Sequence, residues 1–409
     1  MNIVDMFTPE ETTNAVDIVG GKAAGLFRLQ KLLPALSKNY ASRYGGGVVV
    51  PRFFVLPTGY SLSDANIELL RNRAAALGVK KFAVRSSSPF EDGTEHSFDG
   101  VYESRLDVGL DNLVNAVRAV QRSSLGKKAR RYADDFKLTI DDRMAVIVQE
   151  MVKSPQMGII YSKFPAVNDI VRLIQWDTRY SADGSMTSTV FRRKRTIHGV
   201  LYPDQMIETN SGSILTERSL AEISLRIEKN FGSPVRVEYA DGDFGAQLLN
   251  GRKLHLLQAR PIVNVKTPEY RLPEVQDGNL LFGTRWVNGV GDVTAPVVSI
   301  GVGEYLSENL PFNKVEQLDE QYKDGYILLC AYLQYWHNDY DECTPHKRAV
   351  IAGCKIGRHH DMDVARQKGL LYLGTETVIT HAKWRGEGIN TGDVLRVVSD
   401  GTRGLVYRV

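Results

Sequence analysis

Hydrophobic positions along the chain switch between two periods. Short runs rich in β-branched and aromatic residues occupy positions 48–56 (broken at Pro51), 81–85, 144–149, 235–239 and 254–257, and each reads as a strand. Between them, apolar residues recur at helical intervals over 22–29, 64–77, 110–135 and 220–231. A loop over 16–21 leads into the first of these helices. The mixture continues to Ile262 and then stops, because 266–278 is polar and carries Pro268, Pro273 and Gly278. Beyond it lies a smaller unit of short strands and turns, closing with a strand, a turn and a last strand through Val406. The pattern predicts a multidomain chain of the α+β or α/β class. It has a domain over 1–265, a linker over 266–280 and a second domain over 281–409, with no internal repeats.

Composition narrows the function classes. At 409 residues, 43% hydrophobic and 24% charged, the chain has the make-up of a soluble protein with more than one core. A net charge of +3 demands neither nucleic acid nor an anionic membrane. The basic clusters at 127–131 and 192–195 lack interleaved aromatics and read as solvated helix or hairpin faces. Cys330, Cys343 and Cys354 cannot all pair with one another and fit no zinc spacing, so a reducing compartment is expected. The first residues have no basic start followed by an apolar core, and no stretch reaches membrane-spanning length. A cytoplasmic protein with no membrane or nucleic-acid partner is the expectation.

Three segments carry candidate chemistry. Gly20-Gly21-Lys22, at a loop-to-helix junction, offers glycines that let backbone approach an anion, helix N–H donors and a full positive charge, although it is no Walker A loop. Arg85 ends a buried strand and is followed by Ser86-Ser87-Ser88. That suits a polyphosphate, and equally a structural arginine–acid pair under a serine-rich turn. Glu238, in Val-Arg-Val-Glu-Tyr, and Gln258, in Leu-Leu-Gln-Ala-Arg-Pro, fall on neighbouring strands. There they could hold a magnesium ion against triphosphate oxygens while Arg260 neutralises the rest. The alternative is a carboxylate simply paired with arginine.

In this order and at about these separations, the three segments resemble the nucleotide-binding domain of the phosphoenolpyruvate synthase and pyruvate phosphate dikinase family, over roughly 16–262. The resemblance implies an ATP-grasp fold that binds ATP and Mg2+. By position, Lys22 and Arg85 would contact phosphates and Gln149 would line the adenine pocket. Glu238 and Gln258 would hold magnesium, and Arg260 would bind phosphate. The stretch 173–184 departs from the glycine-rich Gly-Glu segment of that family, so no role is carried over there.

The second domain resembles the family's swivelling phosphohistidine domain. Ala365-Arg366 falls five residues after His360 and Gly369 follows, which makes His360 the implied phosphate carrier. Arg358 and His359 stand where the family has threonine and then serine or cysteine, and Asp361 and Asp363 flank the site where alanines are usual. His359 is the other candidate carrier, and the pair could also bind metal. The expected activity is a phosphotransferase that converts ATP to AMP and phosphate through a phosphohistidine. Its acceptor, a small molecule or one held by a partner protein, is not identified by the sequence. Two alternatives remain open: an ATP-grasp ligase or kinase forming ADP without the histidine, and a nucleotide-binding regulatory subunit.

Overall fold

The helix α1 (Val16–Tyr40) begins earlier than the sequence predicts and is broken rather than preceded by a loop: Gly20 takes φ 75° and ψ 168° inside it. The computed structural model describes residues 16–40, 47–91, 101–154, 156–164, 170–177, 187–195, 201–209, 214–241, 253–262, 272–273, 279–284, 286–300, 320–330, 346–352, 369–375, 389–401 and 403–409. The chain divides into two compact units, the first formed mainly by Met1–Phe164, Asp169–Arg179 and Thr187–Asn264, the second mainly by Val265–Val409.

In the first unit the strands in chain order are β1 (Val48–Val49), β2 (Phe53–Leu56), β3 (Phe82–Ser87), β4 (Ser104–Val108), β5 (Ala145–Glu150) and β6 (Gln156–Tyr161). They are followed by β7 (Ile170–Asp177), β8 (Thr187–Arg195), β9 (Leu201–Thr209), β10 (Val235–Asp241) and β11 (Leu254–Pro261). They form a seven-stranded sheet in the order β1-β11-β10-β6-β7-β8-β9 and a four-stranded sheet in the order β2-β5-β3-β4. The remaining helices are α2 (Asp64–Ala76), α3 (Leu113–Arg122), α4 (Lys127–Phe136) and α5 (Ile214–Phe231). A large sheet that is antiparallel apart from β1 against β11, a smaller wholly antiparallel sheet and helices packed on them make this unit an ATP-grasp fold.

Helix α1 ties the two sheets together. Val19, Ala23, Leu26, Phe27 and Leu29 pack into one core with Val55 and Ile147 of the small sheet, Val237 and Ala259 of the large one, and Leu220 and Ile227 of α5. Each large side chain buried there stabilises the fold by about 1.5–3 kcal/mol. The contact with β11 is close: a Cβ added at Gly25 would fall 2.3 Å from the Ala259 carbonyl oxygen. Only glycine lets the helix lie that near the strand.

The single helix expected over 110–135 is two. Gly126 is extended (φ −64°, ψ 162°) between α3 and α4. The preceding serines turn back on the chain: Ser123 Oγ donates to Val120 O at 2.7 Å, Ser124 Oγ donates to Gln121 O at 2.9 Å, and Glu103 N–H donates to Ser123 Oγ at 3.1 Å. Side-chain bonds of this kind compete with helix continuation. The basic cluster 127–131 opens α4. The other, at 192–195, lies on β8, and one of its residues, Arg193, is buried against Glu228 of α5. Cys343 and Cys354 lie outside the described residues.

The second unit holds β12 (Leu280–Thr284), β13 (Val287–Asn288), β14 (Gly291–Ile300), β15 (Tyr326–Cys330), β16 (Lys347–Ala352), β17 (Leu371–Gly374), β18 (Val394–Ser399) and β19 (Gly404–Arg408). They form a sheet in the order β12-β19-β18-β14-β15-β16-β17-β13, parallel from β14 through β17. Val297, Ile327, Leu329, Ile351 and Leu373 form its core. Of the polar stretch expected as a linker, Leu272 and Pro273 are described, and Leu272 packs against Val398, Leu405 and Tyr407.

Candidate functional site

The first two candidate segments form one structure. Where α1 breaks, Gly21 N–H donates to Ser88 O at 3.1 Å and Ala23 N–H donates to Ser87 Oγ at 3.0 Å. Ser87 Oγ in turn donates to Val19 O at 2.7 Å. A Cβ at Gly20 would lie 1.9 Å from the Ser87 carbonyl oxygen, so the break must be glycine. Two of the N–H groups expected to face an anion are therefore spent on the serine turn. Lys22 Nζ donates to Glu91 Oε1 at 2.7 Å and to Ser86 Oγ at 3.2 Å. Ser86 Oγ also donates to Glu91 Oε1, at 3.1 Å, and Ser88 N–H donates to Glu91 Oε2 at 2.9 Å. Glu91, 2% exposed, is the hub of this corner, and sequence reasoning missed it. Its signal was the Ser-x-x-Glu spacing from Ser88, in which the acid reaches back to the serine N–H.

The third segment depends on a bulge. Along β10 and β11 the register passes from Glu238 opposite Gln258 to Tyr239 opposite Leu256, which leaves Leu257 as an extra residue. Leu256 and Ala259 can then both join the core with Val237 and Tyr239. Gln258 and Arg260 share the other face with Glu238 and Arg236, their cross-strand partners. Arg85 reaches this face from the small sheet, donating from Nη1 to Gln258 Oε1 at 3.2 Å and lying 3.7 Å from Glu238 Oε2. Arg236 Nη2 lies 3.4 Å from Glu238 Oε1. Arg85 Nε and Gln258 Nε2 are buried donors with no hydrogen-bond partner. Arg85, Glu238, Gln258 and Arg260 thus meet in one place, with Arg236 added to the expected set. Lys22 is held separately by Glu91.

The same face has a gradient along the strands. One row across it is Arg260, Arg236, Tyr161 and Arg172, all buried. The guanidinium of Arg236 lies 6.0 Å from the Tyr161 ring and that of Arg172 lies 4.7 Å from the Phe164 ring. Two residues along, or roughly 7 Å, the row is Gln258, Glu238, Ile159 and Ile174. Two further along β10 it is His255, Ala240 and Met157. One end is cationic and the other largely apolar.

The expected adenine residue, Gln149, lies on β5 opposite Phe53 and Ala83, is 1% exposed, and has a buried Nε2 with no hydrogen-bond partner. Its neighbour Glu150 accepts from Arg52 Nε at 3.1 Å and Nη2 at 3.3 Å, and the Arg52 hydrogen bond holds its carboxyl below the usual range. Burial lowers the His255 pKa, with Glu150 pulling in the opposite direction. The His255 Nδ1 is buried without a partner.

As arranged, the residues do not fit a magnesium ion. Both Glu238 oxygens face guanidinium groups, Gln258 Oε1 accepts from Arg85, and among the described residues no cluster of three or more His, Cys, Asp or Glu could hold a metal. His359 and His360 lie outside the described residues, in the connection between the parallel strands β16 and β17.

Comparison with known proteins shows what the chain is similar to. Residues 60–176, which include Arg85 and Gln149, match the family described as the pyruvate phosphate dikinase, AMP/ATP-binding domain. The probable phosphoenolpyruvate synthase of Pyrococcus horikoshii is 24% identical over 367 residues, covering 80% of this chain and 40% of that enzyme. The phosphoenolpyruvate synthase of Pyrococcus furiosus is 26% identical over 372 residues, covering 80% and 41%. The chain is thus similar to members of the phosphoenolpyruvate synthase and pyruvate phosphate dikinase family. It spans about 40% of the length of these relatives in that family. Among solved structures, Ca. Korarchaeum cryptofilum ACD1 in complex with coenzyme A is similar at 14% identity and a TM-score of 0.31, over 55% of this chain and 89% of that one. At that level of likeness the fold rests on the sheet topology and not on this neighbour. Among the described residues no helix is long and apolar enough to cross a membrane.

Proposed function

We propose that the first unit binds ATP on the β10–β11 face and that the chain is a dikinase-type phosphotransferase acting through His360. The observation that carries the reading is the convergence of Arg85 from one sheet with Glu238, Gln258, Arg236 and Arg260 of the other, at the cationic end of a face whose other end is apolar. A nucleotide has the same polarity. Its triphosphate would lie along the arginines, whose forked N–H groups match phosphate oxygens. Its base would lie toward Gln149, Ile159 and His255. Lys22, locked to Glu91, holds the corner from which Arg85 projects.

AMP as product requires the bond between the α-phosphate and the β-phosphate to break. The His360 imidazole nitrogen then bonds to the β-phosphorus while AMP leaves with the bridging oxygen. Water releases the terminal phosphate, and the remaining phosphoryl group passes from histidine to the acceptor, a small molecule or one presented by a partner protein. Both Glu238 oxygens face arginines, so no step of this scheme is routed through magnesium. That pairing also favours a second reading, in which the site binds nucleotide without turnover.

The deciding experiment incubates the protein with ATP and magnesium, quantifies AMP against ADP, and weighs the intact protein for added phosphate, with His359→Ala and His360→Ala alongside. AMP and a phosphoprotein lost only in His360→Ala support the carrier. ADP that survives both substitutions selects a ligase-type reaction. Bound ATP with neither product selects the binding subunit.

A further inference from the structure

We propose that the cationic end of this face takes a nucleoside polyphosphate without a divalent cation, its charge met by Arg85, Arg236 and Arg260, and that Glu238 is an internal counter-anion and not a metal ligand. The inference rests on the nucleotide reading above and deepens it. Arg236 and Arg260 stand directly opposite each other on antiparallel strands and are 3% and 4% exposed. Like charges in that position destabilise a sheet, and burial raises the cost. The carboxylate of Glu238 is shared between two guanidiniums: Oε1 faces Arg236 at 3.4 Å and Oε2 faces Arg85 at 3.7 Å.

A magnesium ion needs oxygens converging on one point at about 2.0–2.1 Å. Here the two Glu238 oxygens point at different guanidiniums, and the Gln258 oxygen is taken by Arg85. What the site leaves over is the opposite chemistry. Gln258, 5% exposed, presents a buried Nε2 donor with no partner, and Arg85 presents a buried Nε–H with none. N–H donors satisfy phosphate oxygens and cannot bind a cation. A polyphosphate arriving here would take those donors, insert negative charge between Arg236 and Arg260, and replace Glu238 as the partner of the guanidiniums. Arg236 is then a binding residue in its own right.

Equilibrium titration of the whole chain with ATP, by calorimetry, in EDTA and in excess magnesium tests this. Dissociation constants within about threefold of each other are expected. Glu238→Gln should bind ATP about three- to tenfold more tightly in both conditions, because it removes the negative charge that Arg85 and Arg236 face. Arg236→Gln should weaken binding at least tenfold in both. Should that variant fold poorly, Arg236→Lys keeps the buried charge, removes the fork, and should still lose several-fold. Affinity that rises tenfold or more with magnesium, and a Glu238→Gln variant that loses that rise, would overturn the proposal and restore Glu238 as a metal ligand. Absence of ATP binding in EDTA and in magnesium alike would overturn the nucleotide site itself.

Discussion

Two basic corners of the first unit look alike in sequence and behave differently in structure. At one, Lys22 is held by Glu91 and Ser86, and Glu91 also receives Ser86 Oγ and Ser88 N–H. At the other, Arg85 shares Glu238 with Arg236, and two buried donors beside it are unanswered. The first corner is a closed network, which holds a chain crossing in place. The second is an open one, which gives a ligand something to do. A basic residue near glycines and serines is therefore not a binding residue until its counter-charge has been counted.

Breaking the closed corner should cost the most stability. Glu91→Gln leaves the Lys22 charge buried without its acid, so we expect a loss of about 3–5 kcal/mol by urea denaturation. Breaking the open corner should cost binding instead. Arg85→Ala removes a charge-assisted hydrogen bond worth about 1.5–3 kcal/mol, so ATP affinity should fall roughly ten- to a hundredfold with a much smaller change in the denaturation midpoint. If Arg85→Ala unfolds the protein and Glu91→Gln abolishes ATP binding at full stability, the two corners have been assigned the wrong way round.

Gln149 sharpens the contrast at the apolar end. Gln149→Leu removes a buried amide whose Nε2 has no hydrogen-bond partner at similar volume, so stability should change by no more than about 1 kcal/mol while ATP affinity drops several-fold. The smallest effect concerns His255. Its folded pKa lies below the ordinary value because burial disfavours the charged ring; Glu150 and Asp241 favour the charge and Lys253 opposes it. The unfolded chain therefore binds the proton more readily. This residue's share of stability is full above about pH 6.5 and is lost as the pH falls below that. His255→Gln should flatten the melting temperature across that window, leaving the separate loss at lower pH that follows protonation of Glu150.

The sequence made the strands of the site legible because their apolar faces repeat at the strand period. It pointed to Arg85, Glu238, Gln258 and Arg260 because polar residues broke that period at strand ends. It could not show that Glu238 spends itself on two arginines, because Arg236 and Arg85 reach it from positions 2 and 153 residues away in the chain. Helix periodicity carried straight across Gly126, since the break is set by serine side chains bonding back to Val120 and Gln121 and by the Glu103 N–H just before β4, none of which alters the apolar spacing. The start of α1 was missed because the Gly-Gly pair reads as a loop, while a single φ of 75° at Gly20 suffices to turn the helix onto the serine corner.

The bulge at Leu257 makes the strand a sentence in two phases. Upstream of it, even-numbered residues belong to the core, and downstream odd-numbered ones do, as Leu254, Leu256 and Ala259 record. Deleting that one leucine would leave composition and charge almost untouched. It would also set Gln258 directly after Leu256 in plain alternation and keep Gln258 and Arg260 on the ligand face, whereas pairing Leu257 into the ladder would turn both inward and Ala259 outward. Relatives of this chain can therefore lose the residue at 257 together with the bulge and keep the same ligand face, but cannot keep the residue and lose the bulge.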